Sequence, residues 1–161
     1  MKWDELADQP CSLARTLAVV GDRWTMMILR EAFVGVRRFE AFQERLGLSK
    51  ALLSERLKTL VEQGVLERRP YQERPERFEY RLTEKGLDLY PILIAMVTWG
   101  NKHEAAGKGP PLLHHHKPCG HDFTAVMTCN ECGEALDARE VSVRPGAGFE
   151  EELGGFVRRV G

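Results

Sequence analysis

Residues 39–64 read FEAFQERLGLSKALLSERLKTLVEQG, and this stretch limits the fold more than any other. Phe39, Phe42 and Leu46 recur at helical spacing, and Gly47 suits the left-handed position that closes a helix. Leu48 bridges a short turn, and Ser49 is a side chain able to cap a second helix. Leu52, Leu53, Leu57, Leu60 and Val61 then repeat at intervals of three and four until Gly64 stops the run. Two short amphipathic helices, a tight turn and a longer second helix make a helix-turn-helix.

The period changes after Gly64. VLERR (65–69) and FEYRL (78–82) have strand composition, and PYQERPER (70–77), with two prolines and four charges, predicts an exposed hairpin tip between them. Thr83 is placed to cap a long helix whose apolar stripe is Leu87, Tyr90, Ile94, Val97 and Trp99, with Pro91 marking a kink or a boundary. Upstream, Leu13, Leu17 and Val20 predict a first helix. Asp22 is placed to cap a second, which buries Trp24, Met27, Ile28 and Leu29. The expected fold class is mainly α with a small β hairpin: a winged helix-turn-helix, plus a small appendage.

A helix of this kind fits the DNA major groove, and its first turns reach base edges. Opposite the leucines stand Ser49, Lys50, Ala51, Ser54 and Glu55, with Lys58 farther along. Arg74 and Arg77 occupy the hairpin tip, where a wing meets backbone or minor groove, and Arg37 and Arg38 precede the first helix of the motif. Residues 34–81 hold eleven Lys/Arg against eight Asp/Glu, an excess too small to separate a DNA contact from an ordinary solvated surface. A net charge of −1 is equally silent, so any basic patch must be local. A metal-dependent protein-interaction adaptor without DNA binding is the alternative of a different class.

The four cysteines are Cys11, Cys119, Cys129 and Cys132. His116-Lys-Pro-Cys119-Gly120 and Cys129-Asn-Glu-Cys132-Gly133 are two similar turns, each able to present two ligands, with a glycine that lets the backbone fold beneath a metal. They predict a zinc-ribbon-like module with a structural His/Cys₃ site of His116, Cys119, Cys129 and Cys132, while His114, His115 and His121 compete for the fourth place. The intervening GHDFTAVMT (120–128) is expected to run as a short hairpin, and so small a segment would take most of its folding energy from the metal. An open, catalytic zinc is disfavoured. His103-Glu104 lacks the second histidine of H-E-x-x-H, and no deaminase pattern, nucleophile elbow or P-loop is present, so no enzyme is expected. No apolar run reaches the length of a membrane span and no signal-peptide core follows Met1, which places the expected protein in the cytoplasm.

CSLARTLAVVGDRWTMMILRE (11–31), VRRFEAFQERLG (36–47), LSKALLSERLKTLVEQGVLERRPY (48–71) and RFEYRLTEKGLDLYPILIAMVTWG (77–100) together resemble the HxlR family of bacterial transcriptional regulators, cousins of the MarR regulators. The resemblance implies a homodimer on a palindromic operator in double-stranded DNA, paired through the first and last long helices. Trp24 and Trp99 then belong to that contact or, preferably, to the adjoining core. It also implies a sensing role for Cys11, through modification or an intersubunit disulfide in response to oxidants or electrophiles, with a small-molecule inducer as a further possibility. From the residues alone Cys11 is a helix-start thiol opposed by Asp4, Glu5 and Asp8, or a half-buried packing residue. The expected division is a DNA-binding and dimerisation domain at 1–104, a linker at 105–113, the zinc-ribbon-like module at 114–137 and a tail at 138–161 with a candidate helix over 149–157.

Overall fold

The computed structural model describes residues 5–105 and 107–147. They divide into two compact units at Leu93/Ile94, inside the last long helix and earlier than the composition of the AAGKGPP linker suggested. The candidate tail helix lies outside the described residues.

The first unit opens with α1 (Ser12–Val20) and α2 (Arg23–Phe33). Asp22 caps α2 as predicted, its Oδ1 accepting from the backbone N–H groups of Trp24 and Thr25 at 3.0 and 3.2 Å. The helix-turn-helix is α3 (Phe39–Leu46) and α4 (Lys50–Glu62). Gly47 closes α3 at φ 64°, a conformation a β-carbon disfavours, and Ser49 Oγ accepts from Leu52 N–H at 3.3 Å. Leu53, Leu57 and Leu60 on α4 are fully buried with Ile28 and Leu29 of α2, Phe42 of α3, and Leu48 in the turn.

The wing is the antiparallel pair β1 (Leu66–Glu73) and β2 (Glu76–Leu82), with a bulge between Pro70 and Gln72. The strands run farther than composition indicates, because pairing continues past Pro70 to Glu73 opposite Glu76 and leaves only Arg74 and Pro75 in the turn. Gln72 Nε2 clamps that turn by donating to the carbonyls of Arg74 at 3.2 Å and Pro75 at 3.1 Å. The backbone of Arg38 forms an isolated antiparallel β-bridge with that of Glu79, and Arg37 O accepts from Tyr80 N–H at 2.7 Å, so the segment before α3 lies along the wing as a third extended piece. The single long helix predicted after Thr83 is two, α5 (Glu84–Leu87) and α6 (Tyr90–His103), broken at Asp88 and Leu89, with Pro91 in the first turn of α6, where its missing N–H costs no helical bond.

Glu31 joins α2 to α3. Its side chain is 2% exposed and receives charged hydrogen bonds from Arg30 of its own helix and Arg45 of α3. Burial alone would raise its pKa, but the hydrogen bonds from Arg45 and then Arg30 outweigh it and hold the carboxyl below its ordinary value.

In the second unit, β3 (His114–His116) pairs antiparallel with β4 (His121–Phe123). The expected hairpin across residues 120–128 is absent. Each C-G turn instead closes its own reversal, the first between β3 and β4 and the second beneath a Thr128–Ala135 bridge.

The lowered carboxyl of Glu31 makes its contribution complete above pH 4.5 and lost as the pH falls below that through the folded-state value. Glu31→Gln is therefore expected to cost about 1–3 kcal/mol at neutral pH. It should also flatten the acid-side decline of stability, read from urea unfolding at a series of pH values.

Candidate nucleic-acid interface and the two knuckles

With its leucines committed inward, α4 turns one polar stripe to solvent. Ser49, Lys50, Ala51, Ser54, Glu55 and Lys58 are all exposed, the set expected from the helical spacing. Not all are equally free. Ser49 Oγ is occupied in capping, Glu55 lies 3.7 Å from Arg56, and Lys58 pairs with Glu62 at 3.6 Å. Lys50 has no ion-pair partner among the described residues, and it stands with the Ala51 methyl and the Ser54 hydroxyl on the first two turns, the part of such a helix that reads bases. Arg56 belongs to the scaffold: its Nε is 3.3 Å from Asp22 Oδ1, an ion-pair contact without hydrogen-bond alignment, which ties α4 to the cap of α2.

Pairing sorts the basic residues of 34–81. Arg45, Arg56, Lys58, Arg69 and Arg81 each have a carboxylate partner. Arg37, Arg38, Lys50, Arg68, Arg74 and Arg77 have none among the described residues, and of the acids Glu40, Glu44, Glu73 and Glu76 are likewise without one. The free cations are positioned by aromatic rings as well as by the chain. The Arg38 guanidinium lies 4.5 Å from the centre of the Tyr71 ring, and that of Arg68 lies 3.5 Å from the centre of Phe78. Arg68 is a candidate contact that sequence reasoning misses. The signal lies in the register, since Pro70 faces Phe78 and Arg68 is its diagonal neighbour on the same side of the pair. At the tip, Arg74 and Arg77 are exposed beside Glu73 and Glu76, which offset part of their charge.

A family profile described as HxlR-like helix-turn-helix matches residues 19–108, more than half of the chain. The chain belongs to that family. It is a helix-turn-helix transcriptional regulator of the HxlR type. An HTH-type transcriptional regulator of Mycobacterium tuberculosis is 45% identical over 142 residues, covering 88% of this chain and 90% of the relative. The structure of PA1607, described as a transcription factor, aligns with a TM-score of 0.78 at 36% identity over 87% of this chain and 98% of its own. The redox regulator HypR in its oxidized form aligns with a TM-score of 0.54 at 30% identity over 58% of this chain and 98% of its own. An adaptor without DNA binding has no counterpart among these relatives, and no helix among the described residues is long and apolar enough to cross a membrane.

Outside the HTH of this HxlR-like chain, Cys11 is the N-cap residue of α1, its thiol exposed and free of any disulfide, so the half-buried packing role does not hold. Trp24 packs against the core, but Trp99 on α6 is 59% exposed and is no core residue of this chain. The two knuckles share one backbone bond. Gly120 N–H donates to His116 O at 2.9 Å and Gly133 N–H to Cys129 O at 2.8 Å, with φ values of 71° and 76°. In the first, His116 Nδ1 lies 3.2 Å from Cys119 Sγ. In the second, the backbone N–H groups of Cys132 and then Glu131, followed by the Cys132 thiol, donate to Cys129 and hold its pKa below the ordinary thiol value. Each knuckle thus gathers its own two donors, while no group of three or more His, Cys, Asp or Glu side chains is arranged around one point among the described residues.

Asp22→Ala removes two capping bonds and the shorter of the two carboxylate contacts of Arg56. The expected loss is about 1–2 kcal/mol of stability, measured by urea unfolding. Arg56→Met, which spares the cap, is expected to cost less.

Proposed function

We propose that the protein acts as a homodimer on a palindromic operator, with α4 of each subunit in one of two successive major grooves and the wing against the flanking backbone. The observation that carries this is the exposed Lys50–Ala51–Ser54 face, held outward by three fully buried leucines on the same helix. Lys50 and the ring-supported Arg38 and Arg68 supply phosphate or guanine contacts. Ser54 and the Ala51 methyl suit base edges, and Arg37, Arg74 and Arg77 suit the backbone, with Ser49, Glu55 and Lys58 at the margins of the contact. Dimerisation is supported by apolar side chains that the chain leaves uncovered: Leu13 and Leu17 one turn apart on α1, and Ile92, Met96 and Trp99 at successive turns of α6. This reading places the protein in the cytoplasm with its DNA.

The knuckles fit a structural zinc in their donor chemistry. Zinc bond lengths put the ligands of a tetrahedral site about 3.5 Å apart, close to the 3.2 Å between His116 Nδ1 and Cys119 Sγ. The N–H groups turned on Cys129 favour its thiolate, the form that binds metal. His116, Cys119, Cys129 and Cys132 would hold the ion, which would cross-link residues 114–137 as a module set off from the winged-helix domain of 1–104 by the 105–113 linker. Cys11 is proposed as the redox-sensing thiol on its exposed place at the start of α1. With no second cysteine before residue 119, its partner is Cys11 of the other subunit or a small thiol.

Genomic DNA fragments selected on the protein provide the operator. On it, Lys50→Ala, which removes one contact from each of the two subunits, is expected to lower affinity and reduce the salt slope by about 1.8. The same change at Arg69, whose charge Glu67 already answers, should leave the slope close to the parent's. Equal slopes for the parent and Lys50→Ala would overturn the assignment. Elemental analysis is expected to give one zinc per chain, with Cys129→Ser and Cys132→Ser each losing it and operator binding retained.

A further inference from the structure

We infer that the cavity between α6 and the first knuckle is a binding site for an adenine mononucleotide. It lies wholly within the second unit. Its volume is about 360 Å³, inside the roughly 300–1,000 Å³ usual for small-molecule sites. One wall is a single stripe of α6, since Ile94, Val97, Thr98, Asn101 and Lys102 recur at helical spacing. The other wall is Pro110, His114 of β3, Phe123 of β4 and Thr124. That second wall comes from residues past 108, beyond the stretch that the HxlR-like profile matches.

Phe123 is held in place by two imidazoles. His114 and His116 stand two apart on β3 and meet its ring edge-on, at centroid separations of 6.1 and 6.2 Å. The polar side chains of the cavity, by contrast, are unused. Thr98, Asn101 and Thr124 make no side-chain hydrogen bond among the described residues, and Lys102 has no ion-pair partner there. Two hydroxyls and a carboxamide are thus set among Ile94, Val97, Pro110 and Phe123. Such a lining suits a flat molecule with apolar faces and a polar edge. No lining residue is a carboxylate, and Lys102 is exposed, so its ammonium reaches the mouth and selects a negative charge.

Other ligand classes leave part of this lining unmatched. A hydrocarbon acid gives Thr98, Asn101 and Thr124 nothing to bond. A sugar phosphate gives Ile94, Val97 and Phe123 no flat face. A nucleotide answers all of them: its base lies between the two walls, its ribose takes the threonine hydroxyls and its phosphate takes Lys102. Asn101 selects the base. A carboxamide offers a donor and an acceptor side by side, the complement of adenine N7 and N6–H. Guanine shows two acceptors on that edge, O6 and N7, and leaves the Asn101 carbonyl unpaired. One lysine suits one phosphate rather than a chain of three.

The test is calorimetric titration of the full-length protein, without DNA, with adenosine monophosphate (AMP). Guanosine and cytidine monophosphates, adenosine, inorganic phosphate and 2-naphthoate are the comparators. AMP is expected to bind saturably, one per chain, with a Kd below about 1 mM. Every comparator should bind at least about tenfold more weakly. Lys102→Gln should bring AMP down to about the affinity of adenosine, and Asn101→Leu should remove the preference for AMP over cytidine monophosphate. Lys85→Gln, which removes a cation of the first unit, should leave AMP binding unchanged. Saturating AMP should also slow amide hydrogen exchange at 114–116 and 121–123, the paired strands that carry His114 and Phe123. Failure of AMP to saturate, a comparator that binds as tightly, or indifference to Lys102→Gln or Asn101→Leu overturns the site. Slowed exchange confined to α4 and the wing, where Lys50 and Arg68 offer other cations to a phosphate, overturns it as well. With no DNA in the titration, failure here leaves the operator reading standing.

Discussion

Everything this molecule presents to DNA depends on the burial of Leu53, Leu57 and Leu60. These side chains are fully withdrawn from water against Ile28, Leu29 and Phe42, and large-to-small replacement at such sites costs about 2–5 kcal/mol. A helix anchored on one face by that much energy has no freedom to roll, so the opposite face is fixed outward. The cap at Ser49 sets where the helix starts, and the Asp22–Arg56 contact joins it to the cap of α2. Lys50, Ala51 and Ser54 inherit their orientation from contacts they do not make.

The wing is stiffened by other means. Its backbone pairs from Leu66 to Glu73, its turn is clasped by Gln72, and two arginines lie over rings of its own strands. Stacking on Tyr71 and Phe78 limits the rotamers of Arg38 and Arg68 without neutralising them, so cations are pre-ordered for an anionic partner at little further entropic cost. Carboxylate pairing does the opposite at Arg45, Arg69 and Arg81. The stacked arginines therefore keep their charge uncompensated, while the salt-bridged ones have theirs answered within the fold.

Features that depend on neighbours in sequence are legible in the amino-acid order. The helix-turn-helix, both caps, the left-handed Gly47 and the exposed stripe of α4 follow from local spacing, and the two knuckles are built as their matching C-G sequences require. Features that depend on distant partners are not. The strands run through Pro70 because their pairing is decided across the hairpin. Arg68 escapes notice in the sequence because its ring lies on the other strand. Trp99 is expected inside because an apolar stripe does not say whether its own chain or a second one covers it. The candidate zinc ligands divide the same way, since each pair lies in its own turn while a meeting of the two pairs would be a long-range matter.

The central claim is that the outward face of α4 occupies a major groove, and guanine N7 reports on that groove alone. Dimethyl sulfate protection of the selected promoter should show guanines shielded in two patches one helical turn apart, with shielding weakened throughout by Lys50→Ala. Bound DNA whose guanines stay fully reactive, or are shielded in a pattern that Lys50→Ala does not alter, would contradict the account.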